Sequence, residues 1–351
     1  MLLFVLAGLT ALFIVLQSLS MIRPLSRITL KCSCDMKLVA PGERMNFHYT
    51  VTNTGALPVL CLSLSFSFSD DFSVCEDEKW QERYVRREFS GFSVGRPLFL
   101  WPHASKKGRF AVCVNRRGLH RFGKRYLEAG DFLGLTSSVV SREPDLSVIC
   151  TAAAAEEDPQ ITILGGFIGD ISVRRFIMDD PSILLGYRDY TGHEPMKDIS
   201  WLQSAKTGKL MVKQHDFTLD VNVAVVVNMS TDSPRIKDIE QCFCLTRSVC
   251  EKLEEMKIPY AFMSNGDLRS FPRGMGRGHL GAILKNIGLS SRACYQGLPE
   301  LIDACIAQKA DNRSYIVISP QPDPETLRHL RRLQASCDHE ICTLYGNGGA
   351  R

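Results

Sequence analysis

Few side chains in this chain are spaced for catalysis. A zinc protease needs His-Glu-x-x-His, whereas His193-Glu194 runs on to Lys197 where the second imidazole would stand. No Gly-x-x-x-x-Gly-Lys-Ser/Thr loop is present to cradle phosphates. Gly274-x-Gly276-x-Gly278 follows no predicted strand and is interrupted by Arg273 and Arg277, so it reads as a flexible loop. The eight histidines could meet a Ser or Cys in space, but nothing in the sequence favours one triad. Thirteen cysteines are scattered through apolar runs, which predicts buried free thiols in a reducing compartment. Cys242 and Cys244 sit on a predicted helix and face different ways. Cys32 and Cys34 share a strand face but lack a second ligand pair with zinc spacing.

Charge is concentrated in one stretch. His103–Arg125 carries eight Lys/Arg and no acid. It reads either as a solvated strand face or as a contact for anionic lipid head groups. Aromatic residues are not interleaved regularly enough for nucleic-acid stacking, and the net charge of +4 is too mild to imply such a partner.

Two kinds of periodicity organise the chain. Over 28–150, short alternating runs such as Met45–Val51 and Leu60–Phe68 are separated by turn signals at Pro41-Gly42 and Asn53-Thr54-Gly55. They predict an antiparallel β-sandwich, immunoglobulin-like in its opening strands. Residues 151–219 form a linker and an extended, loop-like segment, with Val173–Met196 irregular. From 220 to 351 strands and helices alternate, beginning with the apolar run Val221–Val227, and predict an open α/β sheet. Ser233-Pro234 and Asp323-Pro324 mark two helix starts.

Met1–Ile22 has no charged side chain and is long enough to span about 30 Å as a helix, so it predicts an uncleaved transmembrane anchor over 1–22. Arg23, Arg27 and Lys31 follow it, and positive-inside bias then puts the body in the cytoplasm, as a single-pass cell-membrane protein. With 351 residues, 45% hydrophobic and 23% charged, the chain belongs to the globular class and not to disordered or low-complexity ones.

The most distinctive order of residues lies in Leu185–Asp216: Arg188-Asp189-Tyr190, Lys197, Ile199, Trp201, Ser204-Ala205-Lys206, Gly208, Leu210 and Val212. It resembles the signature of the "domain of unknown function 58" family. Upstream, Arg117-Gly118 and Gly130-Asp131-Phe132-Leu133-Gly134-Leu135 resemble a second feature of that family, with Phe132 standing where Pro is frequent and Leu133 where the family has Phe. His193-Glu194 replaces a Gly-Asp turn. The resemblance implies a membrane-anchored protein whose carboxy-terminal part is a von Willebrand factor A-like, doubly wound α/β domain. It implies work beside MoxR-type AAA+ ATPases and other envelope-complex proteins. It also implies where Mg²⁺ would sit: at the end of the first strand of the α/β domain, where this chain reads Asn228-Met229-Ser230-Thr231-Asp232. An amide replaces the leading acid, and Ser319-Pro320 stands where a second Asp is expected. A degenerate, empty site at Asn228, Ser230 and Asp232 is therefore expected, with Mg²⁺ as the lesser alternative.

The resulting expectation is a multidomain α+β protein with a transmembrane helix, a β-sandwich and a von Willebrand A-like domain. Its function would be noncatalytic, as an interaction or scaffold protein for assembly or activation of partner complexes. It would contact lipid through the amino-terminal helix and would not bind nucleic acid. Candidate partner-binding residues are Arg188, Asp189, Tyr190, Lys197, Trp201, Ser204 and Lys206, with Trp201 open to a second reading as a core anchor. An envelope hydrolase using Asp189, His193 or Glu194 near Trp201, and a metal-dependent adhesion module, are the alternatives.

Overall fold

The computed structural model describes residues 2–21, 24–75, 85–130, 137–143, 146–155, 158–177, 180–216, 222–230, 235–307, 313–337 and 341–348. The chain divides into two compact units, Met1–Ala153 and Ala154–Arg351.

The first unit opens with helix α1 (Leu2–Met21). Phe4, Val5, Leu6, Leu9, Leu12 and Ile14 on it are exposed. Among the described residues, no helix is long and apolar enough to cross a membrane. The transmembrane anchor over 1–22 and the single-pass cell-membrane location are thereby corrected.

Twelve strands follow: β1 (Ile28–Cys34), β2 (Leu38–Val39), β3 (Arg44–Asn53), β4 (Val59–Phe68), β5 (Phe72–Val74), β6 (Val85–Glu88), β7 (Gly91–Leu100), β8 (Ser105–Val114), β9 (Gly118–Arg121), β10 (Arg125–Gly130), β11 (Ser137–Arg142) and β12 (Ser147–Cys150). One antiparallel sheet has the order β1-β3-β8-β5, another the order β11-β10-β4-β7-β6, and β2-β12-β9 form a small third. The alternation of β3 turns Met45, Phe47, Tyr49 and Val51 inward and leaves Arg44 and His48 exposed. Ser63, Ser65 and Ser67 likewise alternate with the buried Leu62, Leu64 and Phe66 of β4. The two larger sheets share one apolar core. At its centre Phe47 packs against Phe66, Phe68, Phe110 and Phe122 with ring centroids 4.9 to 6.2 Å apart, the spacing at which aromatic pairs add to simple burial.

Cys75 and Cys113 form a disulfide that joins the end of β5 to β8, with Cα atoms 6.3 Å apart. Free thiols throughout, as a reducing compartment predicts, are thus not what is found. The other described cysteines are not in disulfides.

The second unit begins with α2 (Pro159–Ile177) and a hairpin, β13 (Asp180–Asp189) and β14 (Met211–Asp216), that carries α3 (Trp201–Thr207) between its strands. Of Val173–Met196, expected to be extended and loop-like, the part up to Ile177 is instead the end of α2, whereas Asp180–Asp189 is extended as β13. The rest alternates: β15 (Asn222–Val227), α4 (Ile236–Glu255), β16 (Tyr260–Ser264), β17 (Phe271–Gly274), α5 (Arg277–Leu289), α6 (Leu298–Ala307), β18 (Arg313–Ser319), α7 (Pro324–Ser336) and β19 (Ile341–Tyr345). The sheet order is β17-β16-β15-β18-β19, with all pairs parallel except β16–β17. Val223 to Val227 are fully buried in the central strand, each worth about 1.5–3 kcal/mol relative to exposure. Asp323 caps α7 with Pro324 at its first turn, whereas Ser233-Pro234 lies outside the described residues.

Candidate functional site

Two places in the second unit gather the polar residues singled out by sequence. The first is the hairpin. Arg188 lies on β13 opposite Val212, and its guanidinium meets the Glu194 carboxylate at 2.6 Å. Thr191 donates its backbone N–H and its hydroxyl to the same carboxylate, at 3.0 and 2.7 Å. The Thr191 hydroxyl, then the backbone donors and Arg188, hold Glu194 at about 2, well below the ordinary carboxylate range and against a smaller opposing effect of burial. A general acid or base for neutral pH needs a pKa near 7, so Glu194 is a loop staple and not a proton carrier. His193 and Asp189 are exposed, and the catalytic grouping of Asp189, His193 and Glu194 gains no support.

Ser204 is committed internally. Its hydroxyl donates to Ser200 O at 2.8 Å and accepts from Met211 N–H at 2.8 Å, which fastens α3 to β14. Gly208 ends α3 in a left-handed conformation, φ 70, that favours glycine. Beneath the helix, Ile199 and Val212 are buried and bridge the two segments. Tyr190 is tied to the same turn through its N–H to Leu210 O at 2.9 Å.

What this scaffold displays is apolar. Trp201 is 61% exposed and Leu202 73%, with Met196 beside them in sequence at 69%. The core-anchor reading of Trp201 is therefore wrong. Leu202 and Met196 went unnoticed in the sequence. Arg188, Asp189, Lys197 and Lys206 are exposed as well.

The second place is the carboxyl end of the parallel sheet, where open α/β folds bind ligands. Asn228 follows β15 and is fully buried. Its Nδ2 donates to Ser230 O and to Ser319 Oγ, both at 3.0 Å. Its Oδ1 accepts from Ser230 N–H at 3.0 Å and from Asn265 Nδ2 at 2.8 Å. Asn265 in turn accepts Met229 N–H at 2.8 Å. The amide thus uses both donors and both lone pairs within the protein. Mg²⁺ wants hard oxygens that are free to turn to it, and these described residues do not fit it; Asp232 lies outside the described residues. Among the described residues, no group of three His, Cys, Asp or Glu could hold a metal ion. Beside the network is a cavity of about 80 Å³ lined by Ser230, Leu298, Pro299, Asp323, Glu325 and Thr326.

The glycine-rich stretch has a structural task. Gly276 precedes α5 with φ 101, and its N–H donates to the Glu254 carboxylate at 2.8 and 2.9 Å. A phosphate would need that donor free. The family-like stretch Asp131-Phe132-Leu133-Gly134-Leu135 lies outside the described residues.

No family model matches the chain, and no curated protein matches it. Solved structures give distant likenesses. AvmM, which catalyses macrocyclization in alchivemycin A biosynthesis, has a TM-score of 0.22 at 15% identity, over 33% of this chain and 88% of its own. The CARDB domain of a Pyrococcus furiosus protein, solved with di-metal ions, has a TM-score of 0.22 at 11% identity, over 35% of this chain and 91% of its own. The C-terminal domain of wzt has a TM-score of 0.25 at 8% identity, over 36% of this chain and 75% of its own. At such TM-scores these likenesses carry no argument.

Proposed function

We propose that this chain is a noncatalytic interaction protein that docks a MoxR-type AAA+ ATPase through the β13–α3–β14 hairpin, in the assembly or activation of partner complexes. The exposure of Trp201 and Leu202 carries this reading. A tryptophan and a leucine held in water by a rigid, internally bonded scaffold cost free energy unless something covers them, and tryptophan is enriched at interface hot spots. Exposed Arg188, Lys197 and Lys206 supply a polar rim of the kind that surrounds such anchors. The resemblance of the same segment to the "domain of unknown function 58" signature names the ATPase as the partner class.

Co-purification of the ATPase with the full chain is the test. Trp201→Ala and Lys206→Ala should each lower recovery of the ATPase by tenfold or more at unchanged melting temperature, since a hot spot is worth about 2 kcal/mol or more. Undiminished recovery with Trp201→Ala would remove the hairpin as the docking face.

A further inference from the structure

The basic run of the first unit is not one surface. Arg116 pairs with Asp71 at 3.7 Å, and Lys124 pairs with Glu143 at 3.7 Å. The cations that stay open belong instead to an arrangement built across strands. On the outer side of the β1-β3-β8 sheet, register aligns Thr29, Thr52 and Ser105 in one row. Lys31, Thr50 and Lys107 form the next, followed by Ser33, His48 and Arg109. The first row continues into the loops as Arg27, Thr54 and His103, where Thr54 N–H and Oγ1 donate to Arg27 O at 2.8 and 2.7 Å. Those rows contain no acid. Lys31, Lys107 and Arg109 are exposed and have no ion pair with any described residue. The first acid beyond them, Asp35, has its carboxylate taken by the Asn46 N–H and Nδ2 at 2.9 and 2.8 Å.

An apolar tip adjoins the same end of the sheet. Trp101 is 63% exposed and Leu57 40%, and the Trp101 ring meets Phe99 at 5.0 Å. Asn53, itself buried, fixes the tip: its Nδ2 donates to Leu57 O at 2.8 Å and to Trp101 O at 3.2 Å, and its Oδ1 accepts Gly55 N–H at 2.9 Å. The two exposed side chains are thus held out by a buried polar clamp.

We infer that this cationic sheet face and the Leu57/Trp101 tip together form a peripheral docking surface for an anionic phospholipid bilayer. The contact requires no membrane-crossing segment. Long Lys and Arg stems reach phosphates from a flat face, while an amphipathic Trp at the margin enters the head-group layer. A protein partner fits less well, because hot spots put the apolar anchor at the centre and the charges at the rim, the reverse of what is seen here. Nucleic acid fits less well too, since no Phe, Tyr or Trp lies within the cationic rows to stack a base.

The test uses the full chain and vesicle co-sedimentation, with phosphatidylcholine vesicles against mixed phosphatidylcholine–phosphatidylglycerol ones. The apolar α1 is present in every arm and contributes equally. Binding to the mixed vesicles should exceed binding to the neutral ones and should fade with added salt. Lys31→Gln, Lys107→Gln and Arg109→Gln combined should weaken it about a hundredfold, near fivefold for each cation. Trp101→Ala should weaken binding while leaving its salt dependence. A control removing the same charge from the same run off this face, Arg116→Gln, Arg121→Gln and Lys124→Gln, should keep most of the binding. Equal loss in both triple variants would reduce the effect to net charge and overturn the proposal. So would equal binding to the two vesicle types, which would leave the cations as a solvated sheet face. Tighter binding to polyglutamate or to single-stranded DNA than to the vesicles would assign the face to another partner.

Discussion

Asn265 donates its side-chain amide to the Oδ1 of Asn228 at 2.8 Å, so that two strand ends of the α/β sheet are joined by a neutral bond. Asn228 also donates to Ser319 at the end of the next strand, and the three ends β15, β16 and β18 become one polar unit. The amide supplies donors that a carboxylate lacks.

Asn228→Asp should accordingly be destabilising, by about 3 kcal/mol at neutral pH, because a buried carboxylate would face Ser230 O and lose two donated bonds. Burial raises the folded pKa of such a group above its unfolded value. The penalty should therefore shrink as pH falls and the acid becomes neutral. Urea unfolding of the variant at pH 5 and pH 7 reads this directly. Repeating it with Mg²⁺ asks whether the acid alone recreates a metal site, and a large Mg²⁺-dependent recovery would show that the other ligands are already in place.

Glu194 should titrate at about 2 instead of its ordinary 4.5. Its folded pKa is depressed, so the stability it lends is present above pH 4.5 and is lost as pH falls toward 2. A carboxyl carbon-13 NMR titration should find it still ionised at pH 4, and Thr191→Val should bring its pKa back up. A midpoint near 4.5 in the unaltered chain would mean that the Thr191 and Arg188 contacts do not persist in solution.

How far these features could be read beforehand depends on whether they are local in sequence. Val221–Val227 is a near-continuous apolar run, and the burial of Val223 to Val227 follows from that alone. The strand β17 did not announce itself, since Phe271-Pro272-Arg273-Gly274 is four residues long with a proline inside. Helix α2 was obscured by Gly165, Gly166 and Gly169, which lower helix propensity. The Asn228–Asn265 bond and the row Lys31–Thr50–Lys107 are products of strand register, which no spacing along the chain encodes. The basic run behaves the same way: the register partner of Lys107 is Thr50 of β3, and Lys31 of β1 lies across it.

Reducing Cys75–Cys113 should loosen the first unit selectively. The bond spans 38 residues, and loop-closure entropy for that length corresponds to about 4 kcal/mol. Cys75→Ser with Cys113→Ser should lower the urea midpoint of that unit, and adding reductant to the unaltered chain should reproduce the shift. The second unit, whose described cysteines are not in disulfides, should hold its midpoint in both cases. A shift confined to the variant and absent with reductant would mean that the thiols are not bonded in solution.

Trp201 and Ile199 make the sharpest contrast available in the hairpin. They are two residues apart, yet one is 61% exposed and the other 6%. Trp201→Ala should cost no more than about 0.5 kcal/mol, because little of the ring is removed from water and no partner atom is left behind. Ile199→Ala should cost about 2–5 kcal/mol, since the side chain is buried and its truncation leaves a cavity. Ser204→Ala should fall between them at about 1–3 kcal/mol, because Met211 N–H loses its acceptor in a part-buried position. Hydrogen exchange at Met211 and Val212 is the measurement that isolates the hairpin from the rest of the unit. Fast exchange in Ile199→Ala and Ser204→Ala with native protection in Trp201→Ala is the expected outcome. Loss of protection in all three would turn the segment back into internal packing, and the tryptophan would no longer be available as a docking anchor.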